Sequence, residues 1–357
     1  MAYQLQKNDI IILLGAGASQ EAGILITSEM IEKIEEELSG SWKEYYGLYF
    51  FIKEQIEKTH EQTLNIEDLV NILDELLQLL EKKHPLTPFQ LSWIEFTEKV
   101  GYTAGFVRDF RDKIISKLRE WVDLKNQVDA HYYRNLALLQ KSYNNPINVF
   151  TLNYDLCIEQ VCRNFENKGN HIQCLIERGF GDESEHNHSW DWQRFSTSSE
   201  KKEPDIYLYK MHGSIDWERN EEQKLIHSSI MGIRKHEIIF GTRQKVRHYD
   251  PFLFFIYEFR QHILDAKLII VCGYGFWDAH INDIIKFGLE TDDNKKLLVN
   301  RYSGDDEDEV TFIKDKIDIA SGSNIEVSIG PASDFFNEFF DIARLNQLFP
   351  DDESLPF

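Results

Sequence analysis

The chain has 357 residues, 42% of them hydrophobic, enough to bury one large core with an insertion or two smaller cores. Its 61 acidic residues against 39 basic ones give a formal charge of -22, so a phosphate backbone would meet net repulsion and direct nucleic-acid binding is not expected. Four cysteines without paired CxxC spacing suggest no disulfide framework and fit a reducing cytoplasm, and the polar segment Met1 to Asp9 reads as neither a signal peptide nor a membrane anchor.

Ile10 to Leu14 is an unbroken apolar run ending at Gly15, the pattern of a strand covered on both faces, as in a parallel sheet. Gly15-Ala16-Gly17-Ala18-Ser19, with Gly23 six residues past Gly17, stands where that strand should meet a helix. Glycines there permit a tight turn and close approach to a pyrophosphate, and the N–H groups that open a helix favour negative charge. Packing explains such glycines about as well. Gln20 takes the place of the third glycine of GxGxxG, and no Gly-Lys-Ser/Thr follows, so neither the dinucleotide fingerprint nor a Walker loop is complete.

From about Ser28 to Lys141 the periodicity is helical, with Ile66, Leu69, Val70, Leu73 and Leu76 on one face. No strand is expected there. The block reads as a helical insertion over 31–144, bounded by the turn residues Asn144, Asn145 and Pro146. A dehydrogenase would place an acidic ribose-binding residue after a second strand about twenty residues past the glycine turn. Helical sequence occupies that place, which counts against hydride transfer.

After Pro146, apolar runs alternate with helical segments, the signature of a parallel α/β sheet. Strands are expected at Ile147–Leu152, Ile206–Met211, Glu237–Phe240, Leu268–Cys272, Leu297–Val299 and Ile325–Ile329. Helices are expected at Tyr154–Asn164, Phe252–Leu264 and Ala279–Gly288, and the polar stretch 179–204 is left unassigned. The expected fold is α/β, a Rossmann-like parallel sheet flanked by helices and built from residues 1–30 and 145–330. The large all-helical insertion interrupts it, and a C-terminal helix and tail occupy 331–357.

Three further segments stand at expected strand ends, where ligands bind in open α/β folds. Thr151-Leu152-Asn153-Tyr154-Asp155 places two short polar side chains there, although Asn153 or Asp155 serves equally well as a helix cap. Lys210-Met211-His212-Gly213-Ser214 ends another strand, and a lone histidine is more often structural than catalytic. Gly273-Tyr274-Gly275-Phe276-Trp277-Asp278-Ala279-His280 follows the strongest apolar run and carries two glycines that permit close approach. His186 and His188 invite a metal or nuclease reading, which is set aside because the accompanying strand and helix pattern is missing. Trp190 and Trp192 read as packing or as a lid, and Asp305 to Glu309 as a solvated loop or helix start.

Together, GAGAS with Gly23, TLNYD, the HGS at His212 and GYGFWDAHIN resemble the sirtuin superfamily. They are closer to its bacterial sirtuin-like branch, associated with defence against phage. The resemblance spans the sheet-forming parts, about two-thirds of the chain. It implies an NAD site in which Gly15, Ala16, Gly17 and Ser19 hold the pyrophosphate, with Ala18 and Gly23 in the same turn. It further implies Asn153 orienting the ribose or the attacking water, Asp155 holding the turn or a ribose hydroxyl, and His212 as the base. Gly273, Tyr274 and Asp278 would line the adenosine side.

Two departures matter. Deacylases of the superfamily hold zinc with two CxxC pairs, which Cys157, Cys162, Cys174 and Cys272 do not form, so no metal site is expected. Ile24-Leu25-Ile26-Thr27-Ser28 stands where those enzymes continue into GIPDFR, and its Phe-Arg is missing. The resemblance therefore implies NAD+ hydrolysis to nicotinamide and ADP-ribose rather than acyl-lysine removal. A catalytically idle module sensing NAD or ADP-ribose in a larger complex is the first alternative, and an NAD-dependent protein deacylase, disfavoured by these two departures, the second. The resemblance also implies a cytoplasmic protein, without nucleic acid or membrane, restrained by homo-oligomer assembly or by a partner such as a HerA-type ATPase or a short Argonaute-like protein.

Overall fold

The structure is a computed structural model that describes residues 4–60, 63–81, 91–181, 189–196, 202–220, 222, 224–227, 236–238, 250–302, 304–319 and 324–349. Its strands are β1 (Ile10–Leu14), β2 (Ile147–Thr151), β3 (Asn164–Asn167), β4 (Asn170–Gln173), β5 (Ile176–Glu177), β6 (Ile206–Lys210), β7 (Gly213–Arg219), β8 (Leu225–His227), β9 (His236–Ile238), β10 (Leu268–Cys272), β11 (Lys296–Arg301) and β12 (Asn324–Ile329). Among the described residues, those of 4–24, 124–238 and 250–349 form one compact unit and those of 25–123 another.

The first unit is built on a seven-stranded sheet in the order β12-β11-β10-β1-β2-β6-β5, with every neighbouring pair parallel. Leaving aside the two-residue edge strand β5, the order is the 3-2-1-4-5-6 of a Rossmann fold. All five residues of β1, β2, β6 and β10 are buried, as strands covered on both faces must be. This is why β1 and β10 are apolar at nearly every position rather than alternating, while β2 and β6 bury Asn148, Thr151 and Lys210 among their apolar residues. Helices Phe252–Asp265, Ala279–Thr291 and Asp306–Ile317 alternate with the last three strands. The acidic run Asp305 to Glu309 is the start of the last of these, with Asp305 accepting from the Glu307 N–H and four carboxylates in the positive first turn.

Three expectations differ from what the chain does. The helix expected over Tyr154–Asn164 spans only Cys157–Cys162, and β3 and β4 then form an antiparallel hairpin. Its turn is Lys168-Gly169, both at positive φ, the geometry a two-residue hairpin loop demands. Within Glu237–Phe240, the described residues belong to β9, which pairs antiparallel with β7 outside the main sheet, and 239–240 lie outside the described residues. Only residues 220–224 separate β7 from β8, far too few for a parallel crossover, so these strands return antiparallel. The segment following the glycine turn is a 3-10 helix, Ala16–Ala22.

The second unit is helical: Thr27–Ser39, Tyr46–His60, Ile66–Leu80, Leu91–Val100 and Ala104–Trp121. Ile66, Leu69, Val70, Leu73 and Leu76 are all buried, as their spacing requires. Asn65 and Thr103 cap their helices through the N–H groups of Asp68 and Phe106. Leu124 to Tyr143, placed in the insertion by the sequence reading, belongs to the sheet-bearing unit. There the Tyr132 and Tyr133 rings meet Phe336 edge-on, which also ties the helix Ala332–Phe339 to that unit. The tail beyond residue 349 lies outside the described residues.

Candidate active site

The sequence motifs fall at the carboxyl ends of neighbouring strands: Gly15 after β1, Asn153 and Asp155 after β2, His212 after β6, and Gly273 to Asp278 after β10. Strand order reverses between β1 and β10, and a crevice outside such a reversal is where doubly wound sheets bind ligands.

The two glycine turns lock together. The Gly15 N–H donates to the Cys272 carbonyl and the Gly17 N–H to the Gly273 carbonyl, each at 2.9 Å. A Cβ on Gly15 would stand 2.5 Å from the Gly273 oxygen, and one on Gly273 only 1.9 Å from the Ala18 nitrogen. These glycines are required first by backbone approaching backbone. The Ala18 N–H is also taken, by the Gly15 carbonyl, and among the described residues no backbone carbonyl is recorded for the Ala16 N–H. Gly23 has a different reason: at φ +82 it ends the 3-10 helix in the left-handed region, where a Cβ would meet nothing within 4 Å among the described residues.

Asn153 is 8% exposed, and its Nδ2 donates to the Ser19 Oγ at 3.1 Å. Ser19 in turn lies 2.7 Å from the Tyr133 hydroxyl, while the Tyr132 hydroxyl donates to the Ala18 carbonyl at 2.6 Å. This clamp holds the amide so that Asn153 Oδ1, a buried acceptor, has no partner among the described residues. Asp155 accepts from the Cys157 N–H through Oδ1, starting the short helix, and its Oδ2 is likewise buried and unpartnered. Cys157, with Asp155 beside it, has its thiol pushed far up by burial.

His212 and Asp278 come from strands separated by β2 and β1, three strand spacings or about 14 Å apart. Their loops nevertheless meet over the intervening strand ends: His212 Nε2 stands 3.7 Å from Asp278 Oδ2, both side chains being buried. The other Asp278 oxygen accepts from the His280 N–H and caps the helix Ala279–Thr291. Tyr274 holds this loop, its hydroxyl donating to Asn282 Oδ1 at 2.9 Å and accepting from the Asp278 N–H at 3.2 Å.

Beneath the β2 loop lies a charge network that sequence reasoning missed. Buried Arg178 bridges Glu159 (2.6 Å) and Asp216 (2.8 Å), and Lys210 reaches Glu159 at 3.3 Å while also donating to the Asp155 carbonyl. His227 lies 3.2 Å from Asp216. Burial raises the Glu159 and Asp216 carboxyls, but Lys210 and Arg178 overcome it at Glu159, and Arg178 chiefly does so at Asp216, so both are held below the usual range. Nothing in the spacing of these residues signals the cluster, because five separate elements contribute to it.

Trp190 packs edge-on against Phe254 and Phe255, whereas Trp192 is exposed. His186 and His188 lie outside the described residues. The four cysteines are buried thiols, and no group of His, Cys, Asp or Glu among the described residues is arranged to hold a metal. No described helix is long and apolar enough to cross a membrane.

A family model described as a SIR2-like domain matches residues 147–319, just under half of the chain. The match includes Asn153, Asp155, His212 and the Gly273 to Asp278 loop, and begins after the Gly15 turn. No curated protein matches the chain. Among solved structures, a Sir2 homolog–NAD complex aligns with a TM-score of 0.41 and 12% identity over 95% of this chain and 89% of that one. Sir2Tm bound to a propionylated peptide aligns with a TM-score of 0.35 and 10% identity over 92% and 91%. With scores this low, these likenesses add nothing to the reading of the site.

Proposed function

We propose that the chain binds NAD along the carboxyl edge of its sheet and hydrolyses it to nicotinamide and ADP-ribose. The observation that carries this reading is the buried Asn153 Oδ1, without a partner among the described residues, on an amide whose Nδ2 is held by the Ser19 and Tyr133 clamp. A buried acceptor left unpaired costs about 1–3 kcal/mol, so it calls for a donor such as a ribose hydroxyl or a water. The orphaned Asp155 Oδ2 makes the same demand.

In this reading the pyrophosphate lies against the Gly15 to Ser19 turn, and Gly273 and Tyr274 shape the neighbouring wall. The bond from ribose C1′ to nicotinamide breaks with its electron pair leaving on the pyridine, which departs neutral. Water adds at C1′, oriented by Asn153, and gives its proton to His212. Asp278 beside His212 steadies the imidazolium that forms. From the sequence resemblance we further infer that NAD depletion serves defence against phage in the cytoplasm. Homo-oligomer assembly or a partner, such as a HerA-type ATPase or a short Argonaute-like protein, would hold the activity in check.

The test is nicotinamide release from NAD by the purified protein. Asn153→Ala and His212→Ala are each expected to slow it about a hundredfold to ten-thousandfold. Normal turnover by His212→Ala removes it as the base. Release that depends on an added acylated peptide overturns the hydrolase reading, and wild-type NAD binding without any release replaces it with a sensing module.

A further inference from the structure

A cavity of about 580 Å³ lies in the sheet-bearing unit between the 3-10 helix Ala16–Ala22, the turn before Arg134, the β3–β4 hairpin and the helix Ala332–Phe339, and Asn153, Asp155, His212 and Asp278 are not among its lining residues. Arg134 is its chemical centre. The guanidinium stacks over the Phe165 ring at 5.3 Å and makes one hydrogen bond, from Nη2 to His131 Nε2 at 3.1 Å. In that contact the histidine nitrogen accepts, which requires a neutral ring; burial and the adjacent Arg134 charge push the His131 pKa down accordingly. The Arg134 Nε has no partner, and no carboxylate among the described residues stands within ion-pair distance of the guanidinium.

The Nε is shielded, but the Nη edge of this half-buried arginine suits a fork of oxygens, as a carboxylate or phosphate presents. The rest of the wall narrows the choice. Glu21, Asp129 and Glu166 also line the cavity, and each already accepts a neighbouring donor: Glu21 from the Ser333 N–H and hydroxyl, Asp129 from Asn126, and Glu166 from His171. A bare anion would meet three carboxylates. A ligand that carries hydroxyl donors beside its anion turns those carboxylates, with lone pairs to spare, from repulsive groups into acceptors. The volume falls within the roughly 300–1,000 Å³ of small-molecule sites, with room for more than a single inorganic ion.

We propose that this cavity is a second ligand site, distinct from the strand-end crevice, that takes a ribose phosphate, with the phosphate on Arg134 and the sugar hydroxyls on the rim carboxylates. It backs directly onto the glycine turn: Tyr132 lines the cavity and hydrogen-bonds the Ala18 carbonyl, and Glu21 belongs to the same 3-10 helix as Ser19.

The test is methyl NMR of the full chain titrated with ribose 5-phosphate, reading Val128 and Leu138, which line the cavity. Both methyls are expected to shift and saturate. In Arg134→Gln the apparent Kd is expected to weaken about tenfold to a hundredfold, with thermal unfolding unchanged, and Asn153→Ala is expected to leave it unaltered. Should Arg134→Gln fail to fold, Arg134→Lys keeps the charge without the fork and is expected to weaken binding by a smaller factor. Methyls that stay still at millimolar ligand overturn the site. Inorganic phosphate binding as tightly as ribose 5-phosphate overturns the sugar-phosphate assignment, and undiminished binding by the Arg134 variants overturns the role of Arg134. Because the readout needs no NAD turnover, this inference and the hydrolase reading fail separately.

Discussion

Arg178→Gln is the sharpest probe of what holds the candidate site in place. The guanidinium is 5% exposed and neutralises two carboxylates from different elements, Glu159 on the short helix Cys157–Cys162 and Asp216 on β7. Removing one member of a buried ion pair typically costs about 3–5 kcal/mol, because the partner charge stays buried. Here Lys210 remains beside Glu159 and His227 beside Asp216, so about 3 kcal/mol, the lower end, is expected. The pH dependence follows from the direction of the shifts. Both carboxyls are held below their unfolded values, so their contribution is present above the unfolded carboxylate pKa of about 4 and is lost as pH falls through the lower folded values. In the variant the folded values rise toward the unfolded ones, so the loss below a pH of about 4 is smaller and ends at a higher pH. The assay is hydrogen exchange of the β7 segment Gly213–Arg219 at neutral pH, alongside urea unfolding between pH 3 and pH 7. Exchange slowed or unchanged in β7, with unfolding within about 0.5 kcal/mol of the parent, would refute the network's role in holding this strand to the β2 loop.

The two kinds of glycine should separate cleanly. Gly273→Ala is expected to lose about 3 kcal/mol or more in thermal unfolding, because its Cβ collides with the Ala18 backbone. Gly23→Ala should lose only about 1 kcal/mol, since it pays backbone strain alone, and the reverse order would refute the reading. Tyr133→Phe removes the hydroxyl on Ser19 and keeps the ring against Phe336. Nicotinamide release is expected to fall about tenfold in kcat with KM little changed, and an unchanged kcat would show that the clamp does not orient Asn153. Burial lowers the His262 pKa to about 4, against about 6.5 for an unfolded histidine, even with Glu258 3.6 Å away. The unfolded chain therefore binds the extra proton between those values, and stability should fall by about 3 kcal/mol as pH drops from 6.5 to 4. His262→Gln should flatten that slope in urea unfolding followed across pH, and an equally steep slope would assign it to other groups.

Much of the architecture is legible in order along the chain. A strand covered on both faces is predominantly apolar without alternation, so Ile10 to Leu14 and Leu268 to Cys272 announce themselves, Ile147 to Thr151 less plainly because it buries Asn148 and Thr151, and a parallel sheet follows from the helices between them. The same logic marks the strand ends, which is why Gly15, Asn153, His212 and Gly273 stand out as one edge before any contact is known. Helical periodicity likewise separates the insertion, although its end lies earlier than Asn144 because Tyr132 and Tyr133 pack with the sheet-bearing unit. Short strands were missed where they pair locally and are half exposed: β3 and β4 carry too few residues for a period, and only the Asn167-Lys168-Gly169-Asn170 turn signals them.

What the linear order decides is composition at each position, and with it which segments are strands, which are helices and which residues stand at the carboxyl edge. What only the tertiary structure decides is which of those residues touch. His212 meets Asp278 across two intervening strands, Asn153 is held by a hydroxyl pair from two distant segments, and Gly17 is a glycine because Gly273 lies against it. Each of these depends on strand order and loop reach, and contacts between residues so far apart along the chain leave no period in the sequence that carries them.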